Sequence, residues 1–158
     1  MEKTKQVILH LSDLHFGCDK SDSERAARAL ALEGLNAAIL KLQPDWKPTI
    51  VCISGDIGYK GLVSDYEEAA VWLTKLLKDL DIAPDHVLIC AGNHDIDRDT
   101  VTYGRPKDAI EADQMLALPL DAKYEIPFQA YVAFAQAFGI QPLQLGDSEF
   151  ISHWSENP

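Results

Sequence analysis

Three short apolar runs decide what this chain can become. Residues 7–11 read VILHL, 50–53 IVCI and 87–90 VLIC. Each is too short for a helix, carries β-branched residues and is apolar throughout, the pattern of strands buried on both faces of a largely parallel sheet. Two helical stretches separate them. In residues 21–42, Leu32, Leu35, Ile39 and Leu42 recur at helical spacing, Ser21 and Glu24 are spaced as a capping box, and Pro44 stops the helix. In the second stretch Tyr66, Ala70, Leu73, Leu77 and Leu80 share one face, Ser64 with Glu67 offers another box, and Pro84 follows the end. Strand, helix, strand, helix, strand at this spacing predicts two consecutive right-handed βαβ units in an α/β fold, with all three strand ends pointing the same way. Ligands of open α/β sheets sit beyond those carboxyl ends.

Chemistry collects at that edge. The runs lead into Asp13-Leu14-His15, Gly55-Asp56 and Gly92-Asn93-His94-Asp95. Asp-x-His sets a carboxylate and an imidazole on alternate positions of the turn leaving a strand, where both can face one divalent cation. A Gly-Asp pair alone is a common turn, with Gly supplying positive φ. Each motif is weak singly; three on one sheet edge make a cluster of oxygen and nitrogen ligands where the fold expects its site. Charge agrees: 25 Asp+Glu against 14 Lys+Arg give a net charge of -11, which works against a broad grip on nucleic acid or an anionic membrane and leaves cation binding open. No apolar run nears bilayer-spanning length and no leader pattern opens the chain, so a cytoplasmic protein is expected. Cys18, Cys52 and Cys90 form no C-x-x-C pair and predict neither a disulfide framework nor a zinc-thiolate site. Cys52 and Cys90 read as small core residues and Cys18 as loop.

With LHLSDLHFG at residues 9–17, SGD at 54–56 and AGNHD at 91–95, the sequence resembles the calcineurin-like metallophosphoesterases, whose ordered signature is D-x-H, G-D, G-N-H-[DE], a lone His and G-H-x-H. The match covers roughly the first hundred residues. The resemblance implies a four-layer α/β/β/α sandwich with the βαβαβ core as its first half, and a metal-dependent phosphoester hydrolase, phosphodiesterase or phosphatase, using a bridging hydroxide nucleophile. It implies two divalent metal ions, with Asp13 and His15 on the first, Asp56 bridging and Asn93 on the second. His94 would protonate the leaving oxygen or stabilise phosphoryl charge, with Asp95 as its orienting partner. Mixed oxygen and nitrogen donors suit manganese, iron or zinc.

The departure from the signature is the missing G-H-x-H. Only His153 follows His94, and it could stand for the lone histidine. Residues 1–158 are therefore expected to be one metallophosphoesterase domain truncated at its C-terminal end, needing a downstream part of the same protein to complete the site. A degenerate, non-catalytic module binding a nucleotide or a protein partner is the alternative. The expected partner is a phosphoester substrate, with a nucleotide one candidate, and not a membrane; charge does not indicate nucleic acid and does not exclude it. Arg98 is placed to touch substrate phosphate or to pair with Asp97 or Asp99; Tyr59 and Lys60 are placed for substrate contact or for loop structure. His10 and His86 read as structural. Helices are expected over 107–118 and 128–138, and a strand over 149–152.

Overall fold

The computed structural model describes residues 5–100, 108–117 and 126–140. Strands β1 (Ile8–Leu11), β2 (Ile50–Ser54) and β3 (Val87–Cys90) form one parallel sheet in the order β1-β2-β3. Ile8 lies opposite Ile50 and Val51 opposite Val87. Helix α1 (Asp22–Leu40) links β1 to β2, and α2 (Val63–Leu80) links β2 to β3. The βαβαβ core follows from those three apolar runs. Short 3₁₀ turns at Pro44–Trp46 and Pro84–His86 lead into β2 and β3, each opened by the fixed φ of a proline. Helices α3 (Ala109–Leu116) and α4 (Gln129–Ala137) fall within the two stretches expected to be helical. The strand expected over 149–152 and His153 lie outside the described residues.

Ser21 caps α1 as its sequence spacing predicts, its side chain accepting from the Glu24 N–H at 3.3 Å. The Glu24 carboxylate reaches back to the Lys20 N–H at 2.7 Å. Helix α2 corrects the expected cap. It starts at Val63 with Leu62 at the cap position, so Ser64 lies inside the first turn. The start is fixed by Asp65, whose buried carboxylate accepts from the N–H groups of Lys60 at 2.9 Å and Leu62 at 3.4 Å. The C-terminal end of α2 turns on Asp81 at φ 56°, a left-handed position that a short polar side chain tolerates.

Burial of the strands on both faces does not hold. Val51, Ile53, Val87 and Ile89 are buried together with Ile39 of α1, Tyr66, Leu73 and Leu76 of α2, and Tyr131 and Phe134 of α4. On the opposite face Ile8, His10, Ser54 and Cys90 are exposed, Cys52 and Leu88 are half-buried, and Ile50 at the start of β2 is the buried exception. The strand order is the cause. Two crossovers of the same hand, each moving one strand in the same direction, carry both helices over one face, and among the described residues no helix covers the other. Cys52 and Cys90 consequently lie on the bare face and not in the core. Each fully buried aliphatic side chain on the covered face contributes about 1.5–3 kcal/mol.

Candidate metal centre

Pairing between β1 and β2 continues past the strand ends into the loops that carry the site. The N–H of Asp13 donates to the Gly55 carbonyl at 3.3 Å, that of His15 to Asp56 at 2.9 Å and that of Phe16 to Ile57 at 2.8 Å. Phe16 and Ile57 bury their side chains in the core, which leaves the intervening polar residues facing the edge. Three non-glycine residues here hold left-handed backbone: Asp13 at φ 55°, His15 at 47° and Asp56 at 54°. Such conformations cost of order 1 kcal/mol each and collect where function requires them.

The third loop reaches the first two through Gly92. A Cβ at this position would stand 2.2 Å from Asp56 Oδ1 and 2.5 Å from the Asp56 nitrogen, so only glycine lets β3 approach the middle carboxylate. The His94 N–H then donates to Asp56 Oδ1 at 2.8 Å. His15, Asp56 and His94 each bring a ligand atom into one group, all within 4.8 Å of one another. The imidazoles of His15 and His94 meet edge to face with centroids 4.7 Å apart. Asp13 stands beside them, its Oδ1 3.7 Å from His15 Nε2, too long for a hydrogen bond and close enough to face a shared cation.

These residues fit a divalent cation. The donor set mixes carboxylate oxygen and imidazole nitrogen, the mixture that borderline divalent cations accept. A family model for calcineurin-like phosphoesterases matches residues 7–155. The chain belongs to the calcineurin-like phosphoesterase family. No curated protein matches it.

Within this phosphoesterase, two expected site residues stand differently from the sequence reading. His94 joins the cluster itself. Its orientation comes from the Tyr59 carbonyl, which accepts from Nδ1 at 2.9 Å, and from the Tyr59 ring stacked on it at 5.1 Å. A carbonyl only accepts, so Nδ1 carries the proton and Nε2 is left to act. Among the described residues Asp95 makes no hydrogen bond to the His94 ring. It is fully buried, and its carboxylate accepts from Gly58 N–H at 2.8 Å, Gly92 N–H at 2.8 Å, Ile57 N–H at 3.3 Å and Tyr66 O–H at 2.9 Å. Asp95 thus bolts the second loop to the third beneath the site. Burial, with Asp95 adding, pushes the Tyr66 phenol well above its ordinary value and keeps it a donor.

Asn93 precedes His94 on the same turn and is exposed, as is Arg98, which makes no ion pair with Asp97 or Asp99 among the described residues. His10 shares a 2.7 Å hydrogen bond with Ser54 on the bare face and takes no part in the cluster. All three cysteines are free; desolvation, with Cys52 and Asp95 nearby, holds the Cys90 thiol above its ordinary value and makes it a poor thiolate ligand. Sequence reasoning missed the Tyr59 carbonyl, Tyr66 and Asp65, because backbone acceptors and buried caps have no motif. No helix among the described residues is long and apolar enough to cross a membrane.

Proposed function

We propose that this chain hydrolyses a phosphoester at a site for two divalent cations, manganese, iron or zinc, built at the carboxyl edge of its sheet. The observation that carries the reading is the convergence of His15, Asp56 and His94 from three strand ends, His15 and Asp56 on left-handed backbone. In this reading Asp13 and His15 would hold the first cation, Asn93 would hold the second, and Asp56 would serve both. The sheet face that no helix covers among the described residues fits the second layer of a four-layer sandwich. Bound cations would supply positive charge for phosphoryl oxygens and acidify water at the site.

The chain's own residues do the rest. With Nδ1–H held by the Tyr59 carbonyl, His94 gains and releases a proton only at Nε2, which suits delivery to a departing oxygen. Asp56 is fixed at Oδ1 by the His94 N–H, which leaves Oδ2 for ligation. Arg98, exposed and without an ion pair among the described residues, is available to a substrate phosphate, and a nucleotide is one candidate substrate.

The test is hydrolysis of bis-p-nitrophenyl phosphate and p-nitrophenyl phosphate with added Mn²⁺, Fe²⁺ or Zn²⁺, alongside Mn²⁺ titration, for the native protein and Asp56→Asn. Hydrolysis lost with Asp56→Asn supports the proposal, and preference between the two esters separates phosphodiesterase from phosphatase. Tight cation binding without turnover on either ester makes the non-catalytic module the better reading; absence of cation binding overturns both.

A further inference from the structure

The loop that carries His15 is held from outside the motif by one side chain, and the geometry points to Arg28 as the positioning residue of the metal centre. Arg28 lies in α1, largely buried, and its guanidinium has four separate engagements. Nη1 donates to the His15 carbonyl at 3.0 Å, Nη2 pairs with Asp19 and, at 2.9 Å, with Glu68 of α2, and the plane lies over the Phe16 ring at 4.9 Å. Asp19 is itself buried, with its side chain 6% exposed. One residue therefore clamps His15, Phe16 and Asp19 of the same loop onto two helices.

The clamp acts where the backbone needs it. His15 holds φ 47°, a conformation that persists only when the surroundings over-determine it. Its N–H is fixed by Asp56 at 2.9 Å; its carbonyl is fixed by Arg28 and by the Cys18 N–H at 3.1 Å. Without the guanidinium, the Cys18 turn alone restrains that carbonyl, and the ring swings with the peptide. Lysine cannot replace arginine here, because one ammonium cannot serve a carbonyl and two carboxylates in different directions while stacking on a ring. This inference rests on the proposed cation site only for its second readout.

The first readout uses the metal-free protein: amide hydrogen exchange at His15 and Phe16, whose N–H groups bond to Asp56 and Ile57. In Arg28→Lys these two amides should exchange at least ~10-fold faster, while the amides of Val51 and Ile53 in β2 keep their rates. The second readout is Mn²⁺ affinity, expected to weaken by about 10–100-fold, the usual effect of removing a group that orients a ligand. Ile39→Val, a core change in α1 that lowers stability without touching the loop, should leave Mn²⁺ affinity unchanged. Unaltered exchange at His15 and Phe16 would overturn the clamp. Faster exchange with unaltered Mn²⁺ affinity would confine Arg28 to folding and overturn its positioning role. If the unsubstituted protein binds no Mn²⁺, the cation site falls, and the exchange rates still judge the clamp. Should Arg28→Lys not fold, Glu68→Gln removes one arm only and should shift both readouts in the same direction by a smaller factor.

Discussion

Asp95→Asn separates a scaffold role from a chemical one at the residue where they compete. The carboxylate takes four donors, Gly58 N–H and Tyr66 O–H on Oδ1, and Gly92 N–H and Ile57 N–H on Oδ2. An amide must present its NH₂ at one of those positions. On the Oδ2 side it would oppose two backbone donors that cannot turn away. On the Oδ1 side the Tyr66 hydroxyl can rotate to accept, and only Gly58 N–H loses its partner, so this placement wins. One buried unpaired donor costs about 1–3 kcal/mol, and reducing the surviving bonds from charged to neutral costs about 1 kcal/mol each. The sum is about 3–5 kcal/mol, a large part of the ~5–15 kcal/mol that holds a domain folded. At ~2–4 °C per kcal/mol for a chain of this size, Tm should fall by about 6–20 °C. Thermal unfolding of the metal-free protein followed by circular dichroism measures it. A Tm within ~2 °C of the unsubstituted chain, joined to lost hydrolysis, would show that the carboxylate serves His94 after all and would refute the reasoning.

Two further outcomes follow from the same geometry. Gly92→Ala drives a Cβ to 2.2 Å from Asp56 Oδ1 and 2.5 Å from the Asp56 nitrogen, so stability should drop by at least ~1–3 kcal/mol and Mn²⁺ binding should be lost; retained binding in a calorimetric titration would contradict the close approach of the loops. Burial, with Asp95 adding, raises the phenols of Tyr66 and Tyr131 above their ordinary value, whereas unfolded phenols ionise near pH 10. The stability from these raised groups is complete below about pH 10 and declines above it, with a limiting slope of about 1.4 kcal/mol per pH unit for each tyrosine. Tyr66→Phe should remove about half of that alkaline slope in urea titrations, and an unchanged slope would show that the phenol ionises alike in both states.

The site was legible in the sequence wherever chemistry is carried by short motifs on apolar strands. The β-branched runs alone put Asp13, His15, Asp56 and His94 on one edge, because parallel strands of a βαβ chain must end together. What was illegible depends on contacts between distant residues. Asp95 looked like a partner for its neighbour His94, yet its carboxylate binds N–H groups 37 and 38 residues earlier in the chain, which no local pattern encodes. The bare sheet face depends on strand order, which an apolar run does not specify. Ser64 and Glu67 have the spacing of a capping box, but buried Asp65 wins the start of α2 by capping the loop before it. Arg28 carried one faint signal: it stands four and seven residues before Leu32 and Leu35, continuing the inward stripe of α1 with a charge.

The strained backbone of the first loop gives the last prediction, one that sets stability against function at a single residue. Asp13 holds φ 55° with its side chain 67% exposed, and its close neighbour among the ligands is His15 at 3.7 Å. In the metal-free protein its carboxylate therefore contributes little to folding, and what the position costs is backbone. Asp13→Gly removes the left-handed penalty, although glycine gives back ~0.4–1 kcal/mol through the freer unfolded chain, so net stability should change by less than ~1 kcal/mol. Asp13→Ala keeps the penalty, about 1–2 kcal/mol for a residue with a Cβ and no local hydrogen bond to offset it. Set against the ~0.4–1 kcal/mol that glycine gives back, the net gap is ~0–1.6 kcal/mol, so the alanine protein should melt up to ~6 °C below the glycine protein, at ~2–4 °C per kcal/mol. Both should bind Mn²⁺ more weakly than the unsubstituted chain, since both lack the carboxylate. The order is informative because a helical or extended residue gives the reverse, with alanine the more stable of the two. Alanine above glycine would mean that the loop relaxes to negative φ in solution without its metal, and the site would then be assembled on binding and not built in advance.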